Sequence, residues 1–292
     1  MRDLNTDQTD MNAPGLDRAE PLLTVYEPYR GWLSLPLREL WDYRELLIFL
    51  TWRDIKVRYA QAALGGAWAI LQPVLTMVIF SIIFGNLAKL PSDGIPYPIF
   101  SFAALLPWQL FAGALQRAGT SLVGNANLLT KVYFPRLIIP ISAVVAGLPD
   151  FALSFVVLLV MMLFYNIQLS WAVLVLPLLI LLTLLTALAV GVWLSALNVQ
   201  YRDFQYVIPF LVQAWMFASP VAYSVALIPG GKWRILYGLN PMTGVIQGFR
   251  WALLGATPPD ELAIVAVAVM AALLVSGLYY FRRMEKTFAD VV

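Results

Sequence analysis

Residues 151–201 read FALSFVVLLVMMLFYNIQLSWAVLVLPLLILLTLLTALAVGVWLSALNVQY, and no charged side chain interrupts them. A helix that crosses a bilayer needs about 20 largely apolar residues, so this window is too long for one crossing. The polar string YNIQLS at 165–170 divides it. One helix ends near Tyr165, having begun near Leu137, and the next runs from about Trp171 to Leu197. Two antiparallel membrane helices joined by a short polar turn set the fold class: an all-α membrane protein.

The rest of the chain repeats the pattern. Residues 59–88, 94–116, 204–231 and 262–281 are also uncharged. Six spans are expected, at roughly 66–86, 98–119, 138–164, 171–196, 206–225 and 261–281. The composition agrees: 61% hydrophobic and 12% charged, against about 25% charged in a soluble domain, with a mean hydropathy of +0.76. Basic residues favour the cytoplasmic side in short connections. Arg38, Arg44, Arg53, Lys56 and Arg58 precede span 1, Lys131 and Arg136 follow span 2, Arg202 follows span 4, and Arg282, Arg283 and Lys286 follow span 6. Both termini are therefore expected in the cytoplasm. The segment 226–260 runs against this rule with Lys232, Arg234 and Arg250, and the other connections outvote it. Residues 1–35 read as a disordered cytoplasmic tail and 36–292 as the membrane domain. No basic start followed by an apolar run marks a signal peptide.

Two segments fit neither span nor loop. In 37–59, Leu37, Trp41, Ile48, Trp52, Ile55 and Tyr59 fall within roughly a 60° wedge at about 100° per residue. Leu46, Phe49 and Leu50 blur the polar face. This suits an amphipathic helix in the headgroup plane, or else the start of span 1. The second, 226–256, is apolar yet broken by Gly238, Pro241, Gly244 and Gly248. Two short helices split at Asn240–Pro241 can dip into the outer leaflet and return. Irregular backbone at that depth survives inside protein or beside a wet cavity.

The chemistry available is narrow. The chain has no cysteine and no histidine, which excludes disulfides, thiolate catalysis, His-based metal sites and catalytic triads. Gly230-Gly231-Lys232-Trp233 lacks the spacing and hydroxyl of a phosphate-binding loop. A membrane enzyme acting on a lipid-linked sugar has no acid–base pair to use. Asp150 is the one acid inside an apolar span, and such a group is a functional candidate or an acid hydrogen-bonded between helices. Aromatic rings are abundant, with Trp193 and Trp215 in mid-span. They line a sugar path or simply pack. The charge of +2 gives no argument for nucleic acid.

Several strings together carry a family resemblance: RDIKVRYAQAALGGAWAILQP at 53–73, NLLTKVYFPR at 127–136, LNVQYRDF at 197–204, SPVAYS at 219–224 and LNPMTGVIQGFRWALLG at 239–255. In order, spacing and expected topology, residues 36–285 resemble the permease subunit of ABC-type polysaccharide exporters, which move O-antigens, capsular polysaccharides and teichoic acids. The resemblance implies a homodimer paired with two copies of a separate ABC ATPase in the bacterial inner membrane. ATP and Mg²⁺ would be bound by that partner, with no cofactor and no enzyme activity in this chain. The substrate would be a polymer on a polyprenyl pyrophosphate lipid; a drug, haem or lipid is the alternative.

The resemblance also implies roles for residues. The segment after span 2 becomes the foot that the ATPase pushes, carried by Asn127, Leu128, Leu129, Lys131, Tyr133, Phe134 and Arg136. There Phe134 and Tyr133 would plug an apolar cleft, and Lys131 and Arg136 would pair with acidic groups or headgroups. Arg202 and Asp203 would cap span 5 or make a second, smaller contact. Arg53, Lys56 and Arg58 would meet the pyrophosphate, or ordinary anionic lipid. Trp193, Trp215, Tyr223, Asn240, Pro241, Arg250 and Asp150 are the channel and gate candidates.

Overall fold

The computed structural model describes residues 37–60, 65–285 and 288. The expected tail at 1–35 lies outside them. The regular structure among the described residues is helical, with no strand. In chain order the helices are α1 Leu37–Asp42, α2 Arg44–Ala60, α3 Gly65–Phe80, α4 Tyr97–Gly124, α5 Ala126–Lys131, α6 Ile138–Val145, α7 Leu148–Phe164, α8 Leu176–Gln200, α9 Phe204–Phe217, α10 Lys232–Gly238, α11 Pro241–Leu254 and α12 Leu262–Glu285. A wider π-turn, Ser81–Leu87, extends α3, and a 3₁₀ turn, Trp171–Val175, leads into α8.

Five helical stretches are long and apolar enough to cross a membrane: Gly66–Leu87, Tyr97–Gly124, Ile138–Phe164, Trp171–Gln200 and Leu262–Glu285. They match five of the six expected spans. The polar string at 165–170 makes the anticipated turn, with Asn166 at a positive φ of 55°. The expected span 206–225 is instead the 14-residue α9. At 1.5 Å per residue α9 covers about 21 Å, short of the ~30 Å hydrocarbon core. Pro220 explains the stop, because it disfavours helical geometry at Ser219 and has no N–H to donate. The expected continuous helix 138–164 is interrupted at Ala146–Gly147.

α4 forms the centre, with 78% of its apolar window buried, against 11% for α3 with its π-turn and 17% for α12. It packs on α8 along a seam of small residues. A Cβ at Gly191 would stand 2.7 Å from the Ala118 Cβ, so only glycine lets these two helices come so close. One apolar cluster fills the bundle around Phe102, Phe111, Phe249 and Leu158. A second, around Leu50, Leu129, Phe134, Phe281 and Phe288, fills one end of it.

Candidate functional site

The foot is built where α4 stops. The Asn125 side chain donates to the Ser121 carbonyl at 2.8 Å and accepts from Arg53 Nη2 at 2.8 Å, so α2 is tied to the corner from which α5 starts. α5 makes under two turns, and Val132 is extended. Asn127, Thr130, Lys131, Val132 and Tyr133 are exposed, with Tyr133 74% exposed. Leu128 is half-buried and Leu129 buried.

Two side chains of the expected foot turn toward their own bundle. Phe134 is 4% exposed and packs with Leu50 of α2, Leu137, Ile138 and Phe281, so it anchors the foot to its own bundle. The neighbouring ring, Tyr133, is the one presented outward, together with Val132 before it. Arg136 was expected to meet a partner or a headgroup. Its guanidinium instead donates to the Glu285 carbonyl, its backbone N–H reaches Glu285 Oε1 at 3.4 Å, and it lies 5.9 Å from the Phe288 ring centroid. Glu285 and Phe288 are thus parts of the foot's base that the sequence reading missed.

Arg202 and Asp203 are exposed at the α8–α9 corner, at the same end of the bundle, because nearby Val199 belongs to the foot's cluster. Asp203 occupies the N-cap position of α9, yet its side chain makes no capping hydrogen bond, which corrects that expectation.

α2 has two apolar faces. Trp41 on α1 and Ile48 and Trp52 on α2 point outward, 70%, 65% and 64% exposed, as the expected stripe requires. Of the three residues that blurred the sequence pattern, Leu46 and Leu50 turn inward with Leu47, and Phe49 stays 63% exposed. Ile55 and Tyr59 are half-buried rather than on the outward stripe.

The basic residues of α2 are partly engaged. Arg53 pairs with Asp54 at 2.7 Å besides Asn125, and Arg58 pairs with Asp150 at 2.5 Å and donates to the Ala146 carbonyl at 3.2 Å. Lys56 is exposed. Tyr59 also donates to Asp150. Burial, then that hydrogen bond, pushes the Tyr59 phenol up to about 12, so it remains a donor at neutral pH.

Asp150 is therefore no isolated acid deep in a span. The α6–α7 break opens the helix where α2 can reach it. Arg117 of α4, unremarked in the sequence, takes another freed carbonyl there, that of Ala143 at 3.1 Å. A Cβ on Gly147 would stand 2.2 Å from its Nη2, so glycine leaves room for the guanidinium in this position. The signal was available: Arg117 closes an otherwise uncharged window. Asp150→Asn keeps the shape and removes the charge from a pair about 30% exposed on each side. A loss of about 1 kcal/mol is expected, read as a fall of a few degrees in the unfolding temperature of the detergent-solubilised chain.

The remaining candidates gather at the far end, except one. Trp193 stacks on Tyr280 with ring centroids 4.5 Å apart and binds Ser276, which makes it packing between α8 and α12. At the far end Asn240 caps α11, accepting from Met242 N at 3.1 Å and from Trp215 Nε1 at 2.9 Å. Its amide donates to the Ala218 carbonyl at 3.2 Å and to Ser219 Oγ at 2.9 Å. Pro241 opens α11 at N1, where its missing N–H costs nothing. Tyr223 and Tyr237 share a hydrogen bond of 2.7 Å.

Arg250 is 3% exposed. It donates to the carbonyls of Phe100, Pro220, Val221 and Tyr223 at 3.3, 2.9, 2.8 and 3.1 Å, over the face of the Phe100 ring at 3.6 Å. A charge buried in this way does not weigh in a topology rule written for exposed loops, which removes part of the conflict in segment 226–260.

The sequence has relatives among known proteins. The family described as ABC-2 type transporter matches residues 45–254. Over 261 residues the chain is 34% identical to the O-antigen export system permease protein RfbA of Myxococcus xanthus, covering 88% of this chain and 98% of the relative. It is 29% identical to the protein of the same name from Klebsiella pneumoniae, covering 85% and 95%. It is 25% identical to the polysialic acid transport protein KpsM of Escherichia coli, covering 80% and 91%.

Proposed function

The chain belongs to the ABC-2 type transporter family, a multi-pass membrane permease, and we propose that it is the membrane half of an ATP-driven exporter of lipid-linked polysaccharide. The observation that supports this most is the end-to-end match, 98% of the length, to a relative named an O-antigen export permease. Two copies of this chain pair with two copies of a separate ABC ATPase, which holds ATP and Mg²⁺. The complex sits in the bacterial inner membrane with both termini cytoplasmic. The substrate is a glycan on polyprenyl pyrophosphate.

In this reading the α5 foot faces the cytoplasm. Tyr133 and Val132, with Asn127 and Lys131 beside them, enter the ATPase cleft, while Phe134 and Leu129 hold the foot to the bundle. Arg202 and Asp203 are a second contact at the same end. The outward tryptophans of α1 and α2 lie in the headgroup layer. Lys56 is the freest cation there for a pyrophosphate, with Arg53 and Arg58 able to share their donors. α9 and the 218–224 turn together make a sixth crossing, and α10–α11 form the re-entrant pair. That turn's carbonyls accept from Asn240 and Arg250, and such pairing is what irregular backbone at membrane depth requires.

Proteoliposomes holding this chain and its ATPase are expected to move a polyprenyl-diphosphate-linked glycan in an ATP-dependent way. Transport of a drug, haem or free lipid with no glycan movement supports the alternative cargo instead. Hydrolysis of a lipid-linked sugar by the chain alone overturns the permease reading.

A further inference from the structure

α9 is held very differently at its two ends. At the far end, the turn that follows it is fixed from four directions. Arg250 of α11 takes three of its carbonyls, those of Pro220, Val221 and Tyr223. Asn240, which caps α11, takes the Ala218 carbonyl and Ser219 Oγ. Tyr97 of α4 donates to the Ala222 carbonyl at 2.5 Å, Ser224 donates to Asp93 at 2.7 Å, and Tyr237 of α10 bonds Tyr223. At the foot end α9 is held by apolar packing, with Ile208 against Gly119 of α4 and Val212 in the core. Tyr206 and Phe210 stand 74% and 72% exposed there, and the Asp203 side chain gives no cap.

Directional hydrogen bonds resist sliding and rotation, whereas apolar contacts between smooth surfaces tolerate both. A load on the foot therefore meets a stiff far end and a compliant near end. We propose that Arg250 and Asn240 are positioning residues that make the 218–224 turn a fixed pivot, about which α9 swings its foot-side end to open the permease. This rests on the permease reading above. It departs from a gate in which α10 and α11 themselves move, because those helices supply the donors that hold the pivot. Gly119 and Ile208 mark the sliding contact: a Cβ on Gly119 would meet the Ile208 Cδ1 at 2.6 Å, so glycine leaves the smooth surface that a swing needs.

The chain contains no cysteine, so label pairs can be placed without removing any native residue. Val123→Cys/Tyr206→Cys reports the foot-side end of α9 against α4, and Leu87→Cys/Leu227→Cys reports the far end; all four positions are exposed. Spin-label distances are measured in nanodiscs, diluted with unlabelled chain, with the ATPase in nucleotide-free and ATP-bound states. The 123/206 distance is expected to shift by about 5 Å, while the 87/227 distance stays within about 1 Å. Arg250→Lys, which cannot span the same carbonyls, is expected to broaden the 87/227 distribution and leave the wild-type result to stand if that variant does not fold.

An 87/227 shift as large as that at 123/206 overturns the pivot, as does a complex that hydrolyses ATP with neither distance changing. If no ATPase binds the chain, the permease reading fails, and the pivot is judged on the isolated chain. There a 123/206 distribution broader than the 87/227 one upholds it, and equal widths overturn it.

Discussion

Arg250→Met is expected to remove most of the folded chain from the membrane. Methionine fills similar space and can lie on the Phe100 ring, but it donates nothing. Four carbonyls lose their donor in a site only 3% exposed. A buried acceptor left unpaired costs about 1–3 kcal/mol. Allowing for relaxation and entering water, a total of about 4 kcal/mol is expected, a large share of the stability of a typical domain. The check is the yield of monodisperse chain in mild detergent and its unfolding temperature. Wild-type yield and melting would mean that the 218–224 turn finds other donors.

The second large effect separates two adjacent rings. Phe134→Asp is expected to unfold the base of the foot. Losing a buried phenylalanine costs about 3–5 kcal/mol, and an unpaired carboxylate among Leu50, Leu137 and Phe281 adds to that. The chain should be degraded or aggregate, so loss of transport in this variant would say nothing about coupling. Tyr133→Ala is the informative change. Its ring is 74% exposed, and its removal should cost about 1 kcal/mol or less of stability. Glycan export driven by the ATPase should fall about tenfold or more, which is ~1.4 kcal/mol of lost contact. Normal export by Tyr133→Ala would move the contact elsewhere on the foot, to Val132 or Lys131.

Much of the architecture was legible because membrane helices are written in runs of apolar residues. YNIQLS parts two helices where its polar groups need water, and Asn240–Pro241 splits α11 from α10 as its cap and first-turn proline require. The misreadings share a cause. Hydropathy records whether a residue is apolar, not which neighbour it faces. Phe134 and Tyr133 are nearly equivalent in a sequence, and only the cluster of Leu50, Leu137 and Phe281 beneath the foot decides which is buried. Leu46 and Leu50 looked like flaws in an amphipathic helix because the pattern supposed one apolar face, and α2 uses two. Arg250 and Arg117 looked like loop charge and window edge. Their partners are backbone carbonyls, freed by breaks after α9 and between α6 and α7, and carbonyls have no letter in the sequence.

The buried guanidinium also sets an order on biosynthesis. Arg250 lies 30 residues after Pro220 and 150 after Phe100, and it needs both. A ribosome adding about 5–20 residues per second delivers it roughly two to six seconds after the turn it must bind. Until then those carbonyls lack the donor that pairs them in the folded chain, so the turn after α9 cannot reach its final burial on its own. Burial of that turn is therefore a joint event, completed when α11 arrives.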